Sequence, residues 1–190
     1  MLSPELERFV SGWLAKADQY SDKSIEDCYD KFFTLFVVFN RLYAEATFEL
    51  ARRGDIKLPS NRALPDRKGA TEYTLELIGI SSFQKLYDER LARDVNKIAD
   101  LIDKERFFIK LSTPDGNRQS EKDQALLAEL RSSGKTRALA ILDVIYTVRC
   151  NLFHGHKAFQ PVQVELLRPV IALLAQIIES LHKALDHNAA

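Results

Sequence analysis

Apolar residues recur at spacings of three and four along almost all of this chain, the signature of amphipathic helices packed on a shared core. Ser3-Pro4 reads as a cap with proline at the first helical position, opening a helix to about Tyr20. Ser24, with Asp27 three residues on, opens a second helix. Its inward stripe is Phe32, Leu35, Phe36, Phe39, Leu42 and Tyr43, it continues to about Arg53, and Gly54 ends it. Pro59, Pro65 and Gly69 mark an irregular basic segment over Gly54–Ala70. Helical spacing resumes over Thr71–Tyr87, weakened by Gly79 and Ser81-Ser82, and again over Glu89–Leu111. Ser112-Thr113-Pro114-Asp115-Gly116-Asn117 is turn chemistry. Short and long helices are predicted over Ser120–Arg131 and Thr136–His154, joined by Ser132-Ser133-Gly134. The last, about Val162–His187, presents Val170, Leu173, Leu174, Ile177, Ile178, Leu181 and Leu185, with Pro169 either kinking it or marking its start. No alternating strand pattern or repeat interrupts the series, so the fold class is all-α, one helical bundle over residues 1–190.

Composition narrows the picture. The chain has 190 residues, 46% hydrophobic and 28% charged, enough for one domain with a substantial core. Formal net charge is zero, so no bulk attraction to nucleic acid or anionic membrane is indicated. Charge is uneven, however: residues 1–30 carry seven acids against three bases, and residues 131–168 six bases against two acids. Cys28 and Cys150 are too few for a disulfide framework or a four-cysteine zinc site. The opening residues lack the features of a secretory signal, and apolar runs such as Phe32–Phe39 are far shorter than the roughly 20 residues that cross a bilayer. A reduced cytoplasmic setting without a membrane is the expectation.

One stretch concentrates the candidate chemistry: Arg149-Cys150-Asn151-Leu152-Phe153-His154-Gly155. Ile141, Leu142, Ile145, Val148, Leu152 and Phe153 share one apolar arc of a helical wheel, and Arg149 falls inside it. An unpaired buried cation costs several kcal/mol, so Arg149 needs a partner, a ligand or a second subunit. His154 brings a side-chain type that can gain or lose a proton near neutrality. Together they suit a phosphate site, yet an ideal helix sets them about 140° apart and about 7.5 Å along its axis. A twofold pair of such helices could line one cleft. Otherwise Arg149 pairs with a carboxylate of another helix and His154 caps its own. Asn151 lies three residues from His154, on a neighbouring part of the helix surface.

Other motifs carry less. Gly134-Lys135-Thr136 resembles the end of a P-loop, but Glu129 stands where its first glycine is required. His154-Gly155-His156, even with His182 or His187, has no cysteine or carboxylate nearby in sequence to complete a metal shell, so no metal and no cofactor are expected. Nothing in the sequence argues for an activated Cys150 thiol.

The run Tyr146-Thr147-Val148-Arg149-Cys150-Asn151-Leu152-Phe153-His154-Gly155-His156-Lys157 resembles the signature of the HEPN superfamily (higher eukaryotes and prokaryotes nucleotide-binding), an arginine followed after four to six residues by a histidine. The resemblance covers about Ile141–Lys157, with a fainter echo in Phe39-Asn40-Arg41-Leu42-Tyr43. Cys150 replaces the polar residue that usually follows the arginine, leaving Asn151 as the nearest substitute. The resemblance implies a HEPN-like helical bundle with elaborating helices, often a homodimer. Its active members are metal-independent endoribonucleases of toxin or defence systems; others bind nucleotides, RNA or proteins without catalysis. Arg149 and His154 would be catalytic with Asn151 assisting, Lys157 and His156 would contact RNA, and an antitoxin or a nucleotidyltransferase would be the implied protein partner. Some members carry a modified tyrosine two residues after the histidine; His156 stands there in this chain.

Overall fold

The periodic stripes do become packed helices. A computed structural model describes residues 2–58, 64–112, 115–153, 155 and 160–188, the last without its side chain. Helix α1 (Pro4–Ala17) is capped by Ser3, whose hydroxyl accepts from the Leu6 amide. Ser24 likewise caps α2 (Ile25–Arg53), accepting from Asp27 N. The Asp27 carboxylate turns back to accept from the Ser21 backbone amide and hydroxyl, clasping the preceding turn. Gly54, at φ +82°, stops α2 in a left-handed cap that a side chain would strain.

The segment expected to be irregular up to Ala70 turns helical at Asp66. Helix α3 (Asp66–Lys68) runs through a wide turn (Gly69–Tyr73) into α4 (Thr74–Ile78). Gly69 makes this possible: a Cβ there would lie 2.9 Å from Tyr43 Cδ2 and 3.3 Å from Thr47 Oγ1, so only glycine lets α3 lie against α2. Gly79 breaks the next stretch, and α5 (Ile80–Leu86) leads through a second wide turn (Tyr87–Leu91) into α6 (Ala92–Asp103).

The helix expected to reach Leu111 ends at Asp103. Glu105 takes a left-handed φ of 52°, and residues 107–110 run extended with Phe107 and Ile109 turned into the core. Asp123 holds this segment, its Oδ1 accepting from the amides of Ile109 and Lys110 at 3.0 and 2.9 Å. Asp123 sits on α7 (Ser120–Leu130). Helix α8 (Gly134–Phe153) follows, then a short 3-10 turn (Pro161–Gln163) and α9 (Val164–Asn188). Pro169 lies inside α9, five residues after its start, so it neither begins nor ends the helix.

The core joins Phe32, Phe39 and Leu42 of α2 to Leu174, Ile177 and Leu181 of α9 and to Ile141, Leu142 and Ile145 of α8, all fully buried. The described residues form an all-α bundle in which the one β-type contact is an isolated bridge between Leu111 and Arg118. Among them no helix is long and apolar enough to cross a membrane.

Candidate functional site

Three-residue spacing on α8 sets Asp143, Tyr146 and Arg149 along one ridge, and α3 lies against it. The two elements are clasped by reciprocal charges. Arg67 of α3 pairs with Asp143, which Lys110 also engages. Asp66 of α3 faces the other way, towards Tyr146 and Arg149.

Asp66 is the hub of the site. Its Oδ1 accepts from the Tyr43 hydroxyl of α2, which also lies against Asn40 Oδ1. Its Oδ2 accepts from the Tyr146 hydroxyl at 3.0 Å and stands 4.0 Å from Arg149 Nη1. Burial pushes the Tyr43 hydroxyl's pKa far upward, and its hydrogen bond to Asp66 and that carboxylate's charge push it further. Burial raises Tyr146 as well, with the Asp66 charge next. Both tyrosines therefore stay protonated at neutral pH and serve as donors to the carboxylate.

Arg149 is held by this hub without being saturated by it. At 4.0 Å the pair with Asp66 is longer than a hydrogen bond, and the Asp66 side chain is 49% exposed, so the pair is worth at most about 1 kcal/mol. Arg149 Nη1 lies 4.0 Å from Cys150 Sγ, a weak acceptor. Arg149 Nε is buried with no hydrogen-bond partner among the described residues. The guanidinium instead lies over aromatic rings, 4.5 Å from the Phe153 centroid and 5.5 Å from that of Phe36. It forms one wall of a cleft of about 250 Å³ shared with Phe33, Val37 and Asn40.

The apolar arc predicted for α8 therefore needs correction at its end. Ile141, Leu142, Ile145 and Val148 are buried, whereas Phe153 is 62% exposed and the Arg149 side chain 26% exposed. The helix is running out there, and Gly155 turns the chain at φ +68° with its amide bonded to the Leu152 carbonyl. Asn151 was expected beside Arg149 in the chemistry, but the structure does not bring them together. Asn151 is 6% exposed, and its amide donates to the Ile109 carbonyl at 2.8 Å, tying the extended segment to α8. His154, His156 and Lys157 lie outside the described residues.

Tyr43, Asp66, Phe33, Phe36, Val37 and Asn40 are members that sequence reasoning did not place at the site. The signals were faint: an acid just after Pro65, and tyrosine and phenylalanine on a stripe that reads as plain core. Among the described residues no group of three or more His, Cys, Asp or Glu side chains is arranged to hold a metal ion. The arrangement can thus present one partly free, aromatic-backed guanidinium to an anion entering at the end of α8. Comparisons with family models, curated proteins and solved structures found no match for this chain.

Proposed function

We propose that this chain is a metal-independent endoribonuclease of the HEPN type, acting through Arg149 and His154 in a toxin or defence setting. The observation that carries the reading is the state of Arg149: a long ion pair to Asp66, a buried Nε with no hydrogen-bond partner among the described residues, and an open cleft in front. A merely structural arginine at this depth would be expected to have its donors satisfied. A phosphate in the cleft would meet the Nη donors, since Nη1 reaches Asp66 and Cys150 only at 4.0 Å, and guanidinium forks suit phosphate geometry.

In this reading an RNA 2′-hydroxyl attacks the adjacent phosphorus, its proton passing to His154 as general base. The 5′ oxygen leaves and takes up a proton from an acid, a role the second histidine of a dimer would fill. Arg149 stabilises the charge that builds on the phosphorane oxygens. The products are a 2′,3′-cyclic phosphate and a free 5′-hydroxyl. The five-residue step from Arg149 to His154, about 140° of turn on an ideal helix, is the reason for a homodimer with two α8 ends facing each other. His156 and Lys157 would then contact the RNA backbone, and an antitoxin or nucleotidyltransferase would restrain the activity.

A second reading, a non-catalytic module binding a nucleotide, RNA or protein, draws on two observations. Asn151 is committed to the Ile109 backbone, and Cys150 supplies only a weak acceptor beside Arg149. Incubating purified protein with structured and single-stranded RNAs in EDTA, then assaying for cyclic phosphate ends, separates the two. Cyclic ends that depend on Arg149 support the ribonuclease; binding without cleavage supports the module.

A further inference from the structure

The cleft beside Arg149 holds more aromatic surface than a phosphate alone would use. Phe153, the last residue of α8, keeps 62% of its surface in water, which costs hydrophobic stabilisation unless something covers it. Its ring is nevertheless oriented: it makes a T-shaped pair with Phe33, with centroids 5.0 Å apart and planes at 88°, and the Arg149 guanidinium lies over it, 4.5 Å from its centroid. Phe36, Val37 and Asn40 complete a cleft of about 250 Å³. The result is an oriented aromatic ring immediately next to a cation that Asp66 and Cys150 approach only to 4.0 Å.

A ligand matching both features joins a planar apolar ring to an anion. Covering the cleft with an apolar protein face would strip water from a charged guanidinium whose pair with Asp66 is only 4.0 Å long, an unfavourable burial. A nucleic-acid strand supplies the ring and the phosphate together. We infer that this cleft is a subsite for one unpaired nucleobase, stacked on Phe153, belonging to the RNA strand whose phosphate Arg149 holds. The inference rests on the ribonucleolytic reading above and gives its substrate class. In a duplex both faces of a base are covered by its neighbours, so only single strands, loops and bulges can offer one. Among the described residues lining the cleft Arg149 alone carries a charge, so selection acts through stacking area more than through base identity.

Fluorescence anisotropy with short 2′-fluoro RNAs, which lack the attacking hydroxyl and so are not cleaved, tests this directly. The probes are a mixed-sequence single strand, the same strand annealed to its complement, and an abasic sugar-phosphate chain of equal charge. Wild type should bind the base-bearing single strand about tenfold tighter than the duplex or the abasic chain, with Phe153→Ala reducing that ratio below about twofold and Phe153→Trp preserving it. The alanine variant removes an exposed ring at a helix end, so its fold should survive, as circular dichroism will check. Equal binding of abasic and base-bearing chains overturns the subsite while leaving Arg149 its phosphate. No binding to any probe overturns the subsite and the ribonuclease reading together. A preference undiminished in Phe153→Ala also overturns the subsite, and a halved sedimentation mass in that variant would assign the ring to contact between copies.

Discussion

Arg149 carries the site because its environment fixes the guanidinium without neutralising it. The Phe153 and Phe36 rings orient it, and Asp66 approaches only to 4.0 Å. Removing a group that stabilises transition-state charge lowers turnover by about 10²–10³-fold, so Arg149→Ala should show that loss in RNA cleavage. Arg149→Lys should fail to restore the rate, because an ammonium cannot present two parallel donors to phosphate oxygens. Normal turnover by a folded Arg149→Lys protein would make the residue structural. Asp66→Asn should act in the opposite direction on binding. Neutralising a half-exposed carboxylate that competes for the guanidinium should tighten RNA binding about threefold, within the range of a surface ion pair. Anisotropy on an uncleavable strand measures it; weaker binding would mean that Asp66 orients Arg149 more than it competes with phosphate.

At the scale of elements, the site depends on α3 lying close against α2 and α8. Tyr43 is almost fully buried and cannot retreat from a Cβ placed 2.9 Å from its ring. Gly69→Ala should therefore destabilise the fold by about 1–3 kcal/mol through overpacking, despite alanine's better helix propensity. Thermal unfolding checks this, and an unchanged or raised Tm would mean that α3 is free to shift. The same junction shows what the sequence could reveal. Long stripes such as Phe32–Phe39 on α2 and Val170–Leu185 on α9 were legible, because burial on one face imposes the helical period. The start of α3 was hidden, since Pro65 and Gly69 carry loop signals although one precedes a helix and the other permits close packing. The extended segment carrying Phe107 and Ile109 was read as helix because two alternating positions are too few to establish a period. Arg149 stood out as a cation in an apolar arc, whereas its partner Asp66, and Tyr43 behind that carboxylate, lie more than 80 residues away and meet there only through packing.

For the whole molecule, zero net charge gives no overall field that attracts RNA, so the proposed RNA binding would rest on local groups. It also leaves the geometry of a two-residue site to be met by assembly. Sedimentation at micromolar concentration should give a homodimer, and a monomer that still cleaves RNA would remove the case for a composite site. The most direct measurement is metal-free cleavage by wild type and His154→Ala at equal concentration in EDTA, with parallel measurements of folding and RNA binding. Loss of a positioned acid or base should lower turnover about 10²–10⁴-fold, while the melting transition and RNA affinity change little. Cleavage unchanged in purified, folded His154→Ala would contradict the mechanism.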